Sequence, residues 1–119
     1  MGRFVEAVKT TELPAGNMRA VELEGQDVLL ANINGNFYAI SNKCPHMGGN
    51  LSKGKLEGSI VTCPLHGSQF DISTGKVIRW LKGSGILSSI GKTLKAPQDA
   101  RKYPVKIESD TVLVLIEKT

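Results

Sequence analysis

The chain has 119 residues, 40% of them hydrophobic and 22% charged, and its 15 Lys and Arg against 11 Asp and Glu give a formal net charge of +4. That length suits one compact domain, expected over 1–119, and leaves no room for a second catalytic one; the composition excludes a disordered chain. The basic residues are scattered, with no tract of five or more and few aromatics to stack on bases, so no nucleic acid is expected as a partner.

In chain order, Met1 to Gly16 show no apolar stretch followed by a small-residue cleavage site, and Glu6 stands where a myristoylation pattern requires Ser or Thr. No apolar run anywhere is long enough to span a bilayer. The expectation is a cytoplasmic protein without membrane contact. Short β-type segments then follow: "RFVEAVK", "MRAVELE", "DVLLANI" and "FYAIS". Asn34-Gly35 predicts a type I′ hairpin turn, since both residues tolerate positive φ, and Glu24-Gly25-Gln26 predicts another turn. Further strands are expected at Ser59 to Thr62, Gln69 to Ile72, Lys76 to Ile78, Tyr103 to Glu108 and Thr111 to Ile116. Between them, "GSGILSSIGKTLKAPQ" places Ile86, Leu87, Ile90 and Leu94 on one side at helical spacing, with Ser84 as a cap and Pro97 as a stop. One short helix is therefore expected near 86–95. Many short strands with frequent turns predict an all-β chain built as a small antiparallel sandwich or barrel.

The four chemically distinctive residues lie in two clusters. "CPHMGG" places Cys44 and His46 one residue apart, and "CPLHG" places Cys63 and His66 two apart; the chain holds no other Cys or His. A disulfide would leave the matched histidines unexplained and is disfavoured without an export signal. Buried thiols with core histidines do not explain the paired spacing. A structural zinc site is the stronger competitor, because Cys₂His₂ satisfies tetrahedral Zn²⁺. Zinc fingers, however, usually pair Cys with Cys and His with His. One of each per loop suits two metals with different ligand preferences, each held from both loops.

"CPHMG" with "CPLHG", continuing through "SQFDISTGKV", resembles the two cluster-binding loops of Rieske-type [2Fe–2S] proteins. The resemblance covers roughly Asn42 to Val77. It implies a fold of stacked antiparallel sheets with a small cluster-binding subdomain at about 42–78. It also implies one [2Fe–2S] cluster per chain, with Cys44 and Cys63 on one iron and His46 and His66 on the other. Pro45 and Pro64 would stiffen the loops, while Gly48, Gly49 and Gly67 would let the backbone fold closely and aim N–H groups at sulfur. Replacing two thiolates by neutral imidazoles changes the oxidised cluster's charge from about −2 to about 0, which eases reduction relative to an all-cysteine cluster.

The high-potential members of that family add a loop-to-loop disulfide, and its places are taken here by Gly49 and Leu65. They also often carry a serine and a tyrosine after the second His; Ser68 matches, but Phe70 replaces the tyrosine. A potential in the lower part of roughly −150 to +300 mV follows. Rieske oxygenases need a further His₂-carboxylate iron, for which no histidine remains. The resemblance thus implies an electron-transfer component with no substrate site: a ferredoxin passing electrons from a reductase to a terminal oxygenase or other redox enzyme. The alternatives are the small subunit of a cytoplasmic nitrite reductase and a zinc-bound structural domain. The redox partner would approach over the histidines, Met47 and Leu65, steered by Lys43, Lys53 and Lys55. The simplest ring-dioxygenase ferredoxins have a shorter connection than Trp80 to Arg101, so Ile86 to Leu94 is where a particular partner would be recognised.

Overall fold

A computed structural model of the chain describes residues 2–45, 49–65, 67–79 and 98–117. The strands among the described residues are β1 (Gly2–Lys9), β2 (Met18–Leu23), β3 (Gln26–Ile33), β4 (Asn36–Ser41), β5 (Lys55–Glu57) and β6 (Ile60–Thr62). They continue with β7 (Gln69–Asp71), β8 (Val77–Arg79), β9 (Lys102–Tyr103), β10 (Val105–Glu108) and β11 (Thr111–Glu117). All pair antiparallel, in three sheets ordered β1-β11-β10, β2-β3-β4-β9 and β5-β6-β7-β8. The expected all-β architecture of stacked antiparallel sheets is the one observed.

The turn chemistry acts where it was expected. Asn34 and Gly35 take φ of 55° and 91° between the paired Ile33 and Asn36, and Glu24 and Gly25 take 50° and 82° between Leu23 and Gln26. Positive φ at both central residues matches the twist of the flanking strands. The buried Asn32 braces the first of these turns: its Oδ1 accepts from Gly35 N–H at 2.8 Å, and its Nδ2 donates to the Leu13 carbonyl at 2.8 Å.

The middle sheet is the wall shared by two cores. Val28 and Leu30 of β3 join Val8, Leu23, Val112, Val114 and Ile116 in the core facing the first sheet. Leu29 and Ala31, on the opposite face of the same strand, join Ile40, Leu51, Val61, Phe70 and Ile72 in the core facing the third sheet. This double burial explains why "DVLLANI" is apolar without alternation: successive side chains point to opposite faces, and both faces are dry.

Two local features depart from the expectations. Tyr103 to Glu108 is not one strand. Pro104 has no N–H to donate and divides it, β9 pairing with β4 in the middle sheet and β10 with β11 in the first. The strand β5 is only three residues long, too short for its alternation to stand out, and went unpredicted; it pairs with β6 through a turn at Gly58, φ +60°. The helix expected near 86–95 lies outside the described residues. Among the described residues no helix is long and apolar enough to cross a membrane.

Candidate metal centre

Two loops leave the core at the junction of the middle and third sheets. The first begins where β4 ends. Asn42, 2% exposed, donates its Nδ2 to Asp27 Oδ2 at 3.0 Å and accepts the Ser52 N–H at Oδ1, 2.8 Å away. Its main chain bonds to Asp27 O at 2.9 Å and to Leu51 N–H at 2.8 Å. One buried amide thus ties both ends of the loop to the middle sheet. Lys43 pairs with Asn50 across the base, and the Cys44 N–H donates to the Gly49 carbonyl at 2.8 Å.

The second loop crowns the β6–β7 hairpin, whose last paired residues are Thr62 and Gln69. The Cys63 N–H donates to Ser68 O at 2.7 Å, and the Gly67 N–H returns to Cys63 O at 3.1 Å. Gly67 has φ of +76°, which a residue with a Cβ adopts only under strain. The two loops are closed in the same way. In each, the cysteine amide bonds to the carbonyl five residues on, Cys44 to Gly49 and Cys63 to Ser68, and the histidine falls between these two residues in the sequence.

The loops also meet one another. A Cβ built on Gly49 would lie 3.2 Å from Cys63 Sγ, 2.8 Å from Leu65 Cδ1 and 3.0 Å from Leu65 Cγ. The absence of a side chain at Gly49 thus lets the first loop approach the thiol of the second without crowding it. Both cysteines are 2% exposed, and both belong to the apolar cluster of Phe70, Val61, Leu51 and Ile72. One reduced thiol from each of two touching loops, backed by a dry core, is a donor set that fits a shared thiophilic metal group.

The expected site residues divide into two sets. Cys44, Gly49, Cys63, Pro64, Leu65, Gly67 and Ser68 are brought together in these loops, with Ser68 fully buried and Leu65 55% exposed. His46, Met47, Gly48 and His66 lie outside the described residues. Lys43 turns along its own loop, its Nζ 3.0 Å from Asn50 Oδ1 and 3.8 Å from Asp27 Oδ2. Among the described residues, Lys53, Lys55 and Arg79 line a cleft of about 670 Å³ beside Cys63, Pro64 and Leu65.

Three supporting residues escaped the sequence reading. Asn42 and Arg79 act through side-chain bonds to distant main chain, which no spacing reveals. Arg79 donates Nε and Nη2 to the Gly67 carbonyl at 3.1 and 3.0 Å. Gly54 lies under β6, where a Cβ would fall 1.8 Å from the Thr62 carbonyl oxygen. Only the Thr74-Gly75 turn, which folds β8 back beside β7, hinted that Arg79 would lie near the second loop.

Comparison with known proteins bears on these loops. The family model described as the Rieske [2Fe–2S] domain matches residues 3–88. The ferredoxin component of the naphthalene 1,2-dioxygenase system of Pseudomonas aeruginosa is 32% identical over 112 residues, 94% of either chain. Apoptosis-inducing factor 3 of Homo sapiens is 38% identical over 107 residues, 90% of this chain but 15% of that one. Among solved structures, the ferredoxin of carbazole 1,9a-dioxygenase from Nocardioides aromaticivorans IC177 superposes with a TM-score of 0.76 at 26% identity, over 93% of this chain and 95% of that one.

Proposed function

The chain belongs to the Rieske [2Fe–2S] family, and from that premise we propose that Cys44, His46, Cys63 and His66 hold the cluster of a one-electron carrier serving a terminal oxygenase. When bound, the cluster supplies a one-electron ferric/ferrous couple. The carrier takes one electron from a reductase and gives one to the oxygenase. The chain spans nearly the whole length of relatives that are themselves ferredoxin components of dioxygenase systems, and like them it is an electron-transfer component, not an enzyme in its own right.

The observation that carries the ligand assignment is the contact between Gly49 and Cys63 Sγ. It sets the two cysteine-bearing loops against each other, so that one thiolate from each can reach the same iron. The matching closure of the loops supports placing His46 and His66 on the other iron, because each falls in the sequence within the loop closed at its own cysteine. In this reading the cluster-binding subdomain is about 42–78, and the chain 1–119 is a single Rieske domain. Pro64 and Gly67 shape the second loop, Gly48 and Gly49 the first, and Ser68 lies buried beneath the second. Phe70, fully buried, has no hydroxyl to offer a cysteine sulfur, which supports the lower potential.

The partner is met over Met47 and the exposed Leu65. Beside them the cleft carries Lys53, Lys55 and Arg79, a concentration of positive charge suited to an acidic surface. Lys43, engaged with Asn50 and Asp27, adds charge at the rim of the first loop. The compartment we assign is the cytoplasm, where thiol ligands such as Cys44 and Cys63 stay reduced.

The test is iron and acid-labile sulfide analysis with EPR of the reduced protein, using nitrogen hyperfine couplings to detect imidazole ligation. Two irons per chain and two coupled imidazoles are expected. A colourless protein with one zinc per chain would overturn the assignment. Reduction of a dioxygenase by the loaded protein, slowing as salt rises, checks the partner and the steering.

A further inference from the structure

Arg79 stands at the end of β8, opposite Gln69 of β7. Among the described residues its hydrogen bonds go to one neutral acceptor, the Gly67 carbonyl, next to His66 in the chain. Among the described residues no carboxylate forms an ion pair with it. Its charge is therefore not cancelled locally, and it is held at the second loop by a planar fork that a lysine cannot reproduce. A trans peptide carries its C=O and N–H on opposite sides, and no peptide among the described residues is cis. Gripping the Gly67 oxygen thus fixes the Ser68 N–H to point away from Arg79, in a loop whose Ser68 is wholly buried.

We propose that Arg79 is a positioning residue for the second cluster loop, and that its fixed positive charge raises the reduction potential of the cluster. This rests on the reading in which that loop holds the [2Fe–2S] group. Uptake of an electron makes the cluster more negative by one charge, and a cation anchored at the loop stabilises that state more than the oxidised one. Arg79 also lines the cationic cleft, so the side chain that tunes the loop belongs to the face offered to an acidic partner.

The test is potentiometric titration of the loaded wild type, R79Q and R79K, with iron content and EPR recorded for each. R79Q is expected to keep the wild-type spectrum while its reduced-to-oxidised ratio at a fixed ambient potential falls roughly three- to tenfold. Tenfold corresponds to about 59 mV for a one-electron couple. R79K retains the charge and is expected to recover at least half of that shift. An unchanged ratio in loaded R79Q overturns the proposal, and so does an R79K shift as large as that of R79Q. If R79Q takes up no iron, R79K decides alone: a ratio within threefold of wild type supports the role of the charge, and a larger fall overturns it. A wild type without an iron–sulfur signal would instead overturn the cluster reading, independently of Arg79.

Discussion

Replacing Gly49 and Leu65 together by cysteine is expected to cross-link the two loops. A Cβ on Gly49 lies 3.0 Å from Leu65 Cγ, the atom that a cysteine sulfur would roughly replace. A disulfide holds each Cβ about 3.0 Å from the distal sulfur, given an S–S bond of about 2.05 Å, so little backbone movement is required. The bridge would close a loop of about 15 residues, for which the loss of unfolded-state entropy amounts to about 3 kcal/mol. The new Cβ also falls 3.2 Å from Cys63 Sγ, a tight contact that offsets about 1 kcal/mol of this. A net gain of about 2 kcal/mol follows. Peptide mapping by mass spectrometry would identify the 49–65 bridge, and urea unfolding of the oxidised and reduced double variant would measure the gain. Two free thiols at these positions after mild oxidation, or identical unfolding midpoints, would refute the reasoning that the loops touch here.

Gly54→Ala must displace main chain, because its Cβ would fall 1.8 Å from the Thr62 carbonyl oxygen; a loss of about 3 kcal/mol or more in urea unfolding is expected. Gly58→Ala is the control, with nothing within 4 Å but φ of +60°, and about 1 kcal/mol is expected from backbone strain alone. Asn42→Ala leaves the Ser52 N–H and the Asp27 carboxylate without their partner, so about 2–3 kcal/mol of stability and faster loss of iron to a chelator are expected. Tyr103 donates to Gln26 Oε1 at 2.9 Å, and burial pushes its pKa above the ordinary 10.0, the charge of Asp27 adding to this and that of Arg101 opposing it. The folded state therefore holds this proton more tightly than the unfolded one. Its stabilisation is complete below about pH 10 and declines as pH rises through the folded-state pKa. The stability difference between wild type and Tyr103→Phe should hold below about pH 10 and shrink as pH rises above it; a constant difference would contradict it.

Much of this molecule is written in local chemistry. Asn34-Gly35 and Glu24-Gly25 prescribe their turns because positive φ is a property of the residues themselves, and the strands they join follow from runs of apolar and β-branched residues. The pairing of one Cys and one His in each of two Gly-containing loops likewise marks them as candidate metal ligands without any coordinates, since metal preference depends on donor type. Where an element depended on a partner elsewhere in the fold, the sequence was mute. The short β5 exists because β6 is there to pair with it, and Pro104 divides a strand because two different sheets wait on either side.

Tertiary structure decided how the loops are held. Asn42 reaches Asp27, fifteen residues back, and Arg79 reaches Gly67, twelve residues back. Neither bond has a sequence signature, because a long or flexible side chain finds its acceptor only after the strands have set their register. Gly54 has no role legible in the sequence, and Gly49 only an expected close approach, until the neighbouring chain is in place, when Gly49 gives way to a thiol and Gly54 to a carbonyl. The sequence by itself determined which atoms are candidate metal donors, through donor chemistry, and which segments turn, through backbone freedom. Only the folded chain decided how closely the two loops approach and which charge sits beside them, because those depend on contacts between segments that the sequence order keeps apart.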